Sequence, residues 1–113
     1  MGTGSLRYDF VMSPYAASSI DALLDAIRAE LPALARLGVV RVGVFGSRAR
    51  GESRPDSDVE ILVQLEPKRD LLDLVAVRQY LESVLGLPVD VTTPSGLRDE
   101  DRDAILRELR YAA

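Results

Sequence analysis

The stretch GVFGSRARGESRPDSDVEIL, residues 43–62, decides how the rest of the chain is read. It joins two strand-like runs. VVRVGVF (39–45) is short, rich in β-branched residues and ends on Gly46 and Ser47, which reads as a strand. In DVEILVQL (58–65), Val59, Ile61, Val63 and Leu65 alternate with Asp58, Glu60 and Gln64, so one face is apolar and the other opens with two acids. The link from Gly46 to Ser57 carries Arg48, Arg50, Gly51 and Arg54. It is long for a hairpin, and long ordered loops are where function concentrates.

Working outward, SSIDALLDAIRAELPALARLG (18–38) places Ile20, Leu23, Leu24, Ile27, Leu31 and Leu34 at helical spacing. Ser18 or Ser19 caps its start, Pro32 forces a kink or a restart, and Gly38 ends it. RDLLDLVAVRQYLESVLG (69–86) predicts a second long helix with Asp70 as cap and Gly86 as left-handed stop. LPVDVTT (87–93) predicts a third strand with Asp90 at its centre, and PSGLRDEDRDAILRELRYAA (94–113) a closing helix with Leu97, Ile105 and Leu109 inward. The order predicts an α/β (α+β) fold: a small mixed β-sheet flanked by helices, in which the second and third strands run parallel because a helix joins them. Residues 1–17 show no clean period and read as an N-terminal arm, whose Gly- and Ser-containing start is compatible with a tag. Residues 18–113 read as the domain.

Composition narrows the chemistry. The 113 residues carry a net charge of −4, which argues against direct nucleic-acid binding. No apolar run approaches the ~20 residues that a membrane span needs, and the start lacks a signal-peptide pattern, so the expected location is cytoplasmic. Without cysteine or histidine there is no disulfide framework, no Ser-His-Asp or Cys-His catalysis, and no thiolate or imidazole metal site. Catalysis would rest on carboxylates, hydroxyls, Lys or Arg, and a hard metal.

The central stretch supplies such a set. Gly46 permits close backbone approach to a ligand, Ser47 adds a hydroxyl donor, and Arg48, Arg50 and Arg54 suit phosphate. Residues 41–54 hold four arginines and one glutamate, a local +3. The glycine spacing imitates a P-loop, but Glu52 stands where that loop needs lysine, and a carboxylate there repels phosphate. Asp58 and Glu60, two apart on a strand, leave the same face and repel one another unless a cation lies between them. Magnesium takes one or two carboxylates plus substrate phosphates. If the third strand lies beside the second, Asp90 reaches the same face, and three acids could hold two metal ions. A solvated turn with surface arginines, and an amphipathic edge strand with alternating acids, are the plain alternatives for the two halves taken singly.

In combination, FGSRARGESRPDSDVEILV resembles the signature of the nucleotidyltransferase superfamily that includes DNA polymerase beta, and more narrowly its minimal nucleotidyltransferase (MNT) domains. The matching positions are Gly46, Ser47, Gly51, Asp58 and Glu60, with Asp90 as the third acid and LRDEDRDAILRELRYA as the closing helix. The likeness runs from about residue 20 to the C-terminus. It implies that Gly46, Ser47, Arg48, Arg50 and Gly51 bind the nucleotide phosphates. It implies further that Asp58, Glu60 and Asp90 are the catalytic residues and hold Mg2+, with ATP as substrate and Asp90 helping to activate an acceptor hydroxyl. Many members carry Asp where this chain has Glu60, which is one methylene longer. Many minimal domains are paired with a helical HEPN toxin, and some silence it as antitoxins by adenylylating a tyrosine. The chain is short for the acceptor-binding domain expected of aminoglycoside-modifying relatives and has few aromatics with which to build a base pocket alone, so a protein acceptor supplied by a partner is expected; a homo-oligomer is a separate open expectation. The competing expectation keeps the fold and drops the chemistry: an MNT-fold binding module that neutralises its partner by contact.

Overall fold

The computed structural model describes residues 13–113. Most of the expected arm, residues 1–12 with Tyr8, lies outside the described residues. Residues 13–17, grouped with the arm on sequence grounds, pack on the domain: Ala16 is buried in the core and the Ser13 hydroxyl donates to the Leu85 carbonyl at 2.5 Å.

The first helical segment divides in two. Helix α1, Ile20–Arg28, starts at Ser19, whose hydroxyl accepts the Ala22 N–H at 3.2 Å, and Asp21 in its first turn complements the helix dipole. Leu23, Leu24 and Ile27 form its buried stripe. After a break at Ala29–Glu30, α2 (Leu31–Arg36) restarts with Pro32 in its first turn, where the missing N–H costs nothing. Strand β1 (Val39–Phe45) follows, then the one-turn helix α3 (Ser47–Arg50), β2 (Val59–Leu65) and helix α4 (Leu71–Leu85). Helix α4 opens with a capping box: Asp70 accepts the Asp73 N–H at 3.2 Å and Asp73 accepts the Asp70 N–H at 2.9 Å. It stops at Gly86 in the left-handed conformation.

Strand β3 (Val89–Thr92), a 3₁₀ turn (Pro94–Gly96) and helix α5 (Asp99–Glu108) complete the expected order. The closing helix is shorter than its pattern suggests. It ends at Glu108, and Arg110–Tyr111 form a fourth strand, β4, antiparallel to β1. Local patterning could not announce two residues of strand. Their pairing is fixed from outside, by β1 and by Arg28 of α1, which donates to the Ala112 and Tyr111 carbonyls at 3.3 Å each.

The sheet order is β3-β2-β1-β4. β2 is antiparallel to β1 and parallel to β3, as the intervening α4 requires. Residues Val42, Val44, Val59, Ile61 and Val63 point to one face and meet α1, α2 and α4 in a fully apolar core with Val77, Leu81 and Leu85. The alternate residues of the same strands point to the opposite face. There the register forms a rung Phe45–Glu60–Asp90 across three strands, and beside it a rung Gly43–Leu62–Thr92.

Candidate active site

The rung positions the site. Gly46 immediately follows Phe45, so the turn leaving β1 lies beside Glu60, and Glu60 lies beside Asp90, about 4.8 Å away from strand to strand. Gly46 has φ +79° and ψ −158°, a region that side chains avoid. A Cβ at Gly46 would also collide with the Glu60 carboxylate. Two independent constraints therefore require glycine there. Ser47 opens α3, and Gly51 closes it in the left-handed conformation, with no neighbouring atom within 4 Å of where its Cβ would be.

The three acids differ in surroundings. Asp58 is exposed and stands one residue before β2 begins. Asp90 is exposed on the edge strand. Glu60 is half-buried between them, and burial pushes its carboxyl above the ordinary range. Asp90 pushes it further in the same direction, with smaller contributions from Glu108 and Asp58, while Arg50 pulls it down. Glu60 is thus the acid most in need of a nearby cation.

The arginines separate sharply. Arg48, expected to bind phosphate, is 2% exposed and fully engaged elsewhere. Its guanidinium donates to the Ala16 carbonyl at 2.7 Å, to Ser57 at 2.8 and 3.3 Å, and to Pro55 at 3.2 Å. It fastens the link between β1 and β2 to the turn before α1, and burial lowers its pKa. Buried and bonded to the carbonyls of Ala16, Pro55 and Ser57, Arg48 is committed to structure, which counts against the expected phosphate role. Arg50 remains exposed, its Nε on Glu52 at 3.0 Å and its NH1 on Glu108 at 3.1 and 3.3 Å. Those bonds, to Glu52 first and Glu108 second, raise its pKa further. Arg54 is exposed at the far end of the link.

Glu108 is the residue that sequence reasoning missed. It ends α5, yet its Oε1 accepts the Gly46 N–H at 2.9 Å. It lies 62 positions from Gly46, in a helix whose charges read as a solvated face. No periodicity links the two; only β4, which turns the end of α5 back onto β1, brings them together.

The donor set suits a hard cation: carboxylate oxygens only, with Glu60 and Asp90 on neighbouring strands and Glu60 raised by burial and by the acid beside it. Among the described residues no three acids stand together as a ready-made metal cluster. The fit is to an ion held by one or two carboxylates and completed by substrate oxygens, which is the usual arrangement for magnesium. A groove of about 240 Å³, lined by Leu71, Leu74, Val75, Arg78 and Val91, reaches Asp90 from the sheet edge. A larger hollow of about 740 Å³, between Gln64–Leu71 and Thr93–Ser95, contains none of these acids and lies at the other end of β2.

The family model described as the nucleotidyltransferase domain matches residues 22–112, a span that takes in the Gly-Ser turn, all three acids and Glu108. The chain belongs to the nucleotidyltransferase family. Within that family it is similar to the protein adenylyltransferase MntA of Thermococcus cleftensis, 44% identical over 92 residues, covering 81% of this chain and 91% of that protein. Among solved structures, one described as a minimal nucleotidyltransferase matches with a TM-score of 0.69 and 46% identity, over 80% of this chain and 93% of the other. A toxin-antitoxin structure with AMP-PNP shares the fold, with a TM-score of 0.62 and 19% identity over 76% of this chain and 72% of its own. This nucleotidyltransferase therefore has the mixed sheet and flanking helices of a minimal domain. No helix among its described residues is long and apolar enough to cross a membrane.

Proposed function

We propose that this nucleotidyltransferase transfers AMP from ATP to a hydroxyl of a partner protein, a tyrosine of a HEPN-type toxin, and thereby acts as its cytoplasmic antitoxin. The observation that carries this reading is the rung that lines up the Gly46 turn, Glu60 and Asp90 on the sheet face opposite α1, α2 and α4. The name of the similar Thermococcus protein, a protein adenylyltransferase, supports the choice of a protein acceptor.

In this reading the Gly46 turn and the Ser47 hydroxyl receive phosphate oxygens, and Arg50 supplies the positive charge that Arg48 cannot. Asp58, Glu60 and Asp90 would hold magnesium, as one ion or two. Bound there, the metal would offset the charge of the triphosphate and of the attacking oxygen. Asp90, at the exposed edge, accepts the proton of the acceptor hydroxyl. The acceptor oxygen bonds to the α-phosphorus, the bond from that phosphorus to the bridging oxygen breaks, and pyrophosphate leaves with that electron pair. The groove along Leu71, Leu74 and Val75 provides an apolar approach to Asp90 for an acceptor segment.

The test mixes the protein with magnesium, α-labelled ATP and the proposed HEPN-type partner. Transfer of label to that protein, abolished by Asp58→Ala, is expected. A stable complex without label, indifferent to Asp58→Ala, would instead establish a binding module that neutralises by contact.

A further inference from the structure

We infer that Glu108 is the resident anion of the phosphate subsite, holding the Gly46 N–H and one edge of Arg50 until the triphosphate displaces it and takes both over. The inference rests on reading the Gly46 turn as the phosphate-binding element.

The two groups that Glu108 engages are the ones that reading requires. Its Oε1 accepts the Gly46 N–H at 2.9 Å, and both its oxygens accept from Arg50 NH1, at 3.3 and 3.1 Å. A phosphate oxygen and a carboxylate oxygen cannot both occupy one N–H, and two anions at that separation repel strongly. Glu60 and Asp90 already crowd the same face with negative charge. A triphosphate reaching Gly46 therefore meets Glu108 as a competitor.

Arg50 is arranged to survive the exchange. Its Nε is held separately by Glu52 at 3.0 Å, so releasing NH1 from Glu108 leaves the guanidinium anchored and one donor edge free. Helix α5 is arranged to yield. It buries no residue, and its N-cap, Arg98, makes no side-chain capping bond. Elements with so little buried apolar surface open at low free-energy cost. Beyond Glu108 the chain is retained by β4 and by the contact of Leu109 with Gly43, so α5 can swing without leaving the domain. A carboxylate that merely braced the turn would predict the opposite response to its removal.

The test titrates wild type and Glu108→Gln by calorimetry with Mg·ATP and, separately, with inorganic tripolyphosphate. Glutamine keeps the shape and removes the charge. Both ligands are expected to bind the variant about tenfold more tightly, because the neutral amide surrenders weaker bonds than the carboxylate and does not repel the incoming anion. In the wild type, bound ligand is expected to speed amide exchange across residues 104–108 while slowing it across 46–51. Equal or weaker binding by a folded Glu108→Gln, or slowed exchange in α5 on ligand binding, overturns the inference and leaves the phosphate reading intact. The exchange measurement on wild type decides the matter even if the variant does not fold. Failure of both ligands to bind either protein removes the phosphate reading and the inference with it.

Discussion

The face of the sheet beneath α1, α2 and α4 is aliphatic throughout, while the opposite face of the same strands carries Glu60, Asp90, Arg41 and Tyr111. β2 serves both at once. Val59, Ile61 and Val63 are fully buried, and Glu60 between them meets the open side. The first face is held by area removed from water and tolerates little change in volume. The second carries a carboxyl that burial and Asp90 both push toward the protonated form. The same strand alternation thus puts the stabilising residues and the strained ones one position apart, and substitutions on the two faces should move different observables.

The largest effect is expected on the open face. Asp90→Asn should lower the rate of transfer by roughly 10²- to 10⁴-fold, the range for losing a positioned proton acceptor, and leave the melting temperature within error. A melting loss comparable to a core mutation would break the comparison. On the covered face, Leu81→Ala removes a fully buried side chain and should cost about 3 kcal/mol in urea unfolding. Any transfer activity of the folded variant should stay near that of wild type.

Arg48 and Arg50 sharpen the contrast within a single turn of helix. Arg48→Met leaves the carbonyls of Ala16, Pro55 and Ser57 without their donor and should destabilise by about 2–3 kcal/mol. Arg50→Met breaks exposed ion pairs and should leave the melting temperature nearly unchanged while weakening ATP binding. Equal stability losses would show that the two arginines do not divide the work as their contacts suggest.

The smallest effects concern the cap at the exposed start of α4. Asp70→Ala removes half of the capping box and should cost about 1 kcal/mol. Asp73 accepts the Asp70 N–H, and that bond first, then Arg69, holds its carboxyl below the ordinary range. A depressed folded-state pKa stabilises above the unfolded value and is lost as pH falls through the folded one. The stability difference between wild type and Asp73→Asn should therefore shrink as the solution is acidified below the usual carboxylate range. A difference that grows on acidification would contradict the assignment.

The helices and three longer strands were legible because each carries its own local signal: caps at Ser19 and Asp70, stops at Gly38 and Gly86, and alternation in β2. The placing of Glu60 between the Gly46 turn and Asp90 was legible as a motif, and the β1–β2–β3 register supplies its geometry. What stayed hidden depends on contacts between distant positions. Arg48 looks identical to Arg50 in sequence, and only the carbonyls of Ala16, Pro55 and Ser57, gathered by the fold, commit it to structure. Glu108 is one acid among many in α5, and β4, too short to carry a pattern, is what brings it to Gly46.

The proposed chemistry directs attack at the α-phosphorus of ATP. Parallel incubations with the proposed HEPN-type partner, one with α-labelled and one with γ-labelled ATP, test it most directly. Label from the α position on the acceptor, with γ label recovered only in pyrophosphate and unreacted ATP, is the predicted result. Label from the γ position on the acceptor, or none from either while the acceptor is bound, would contradict it.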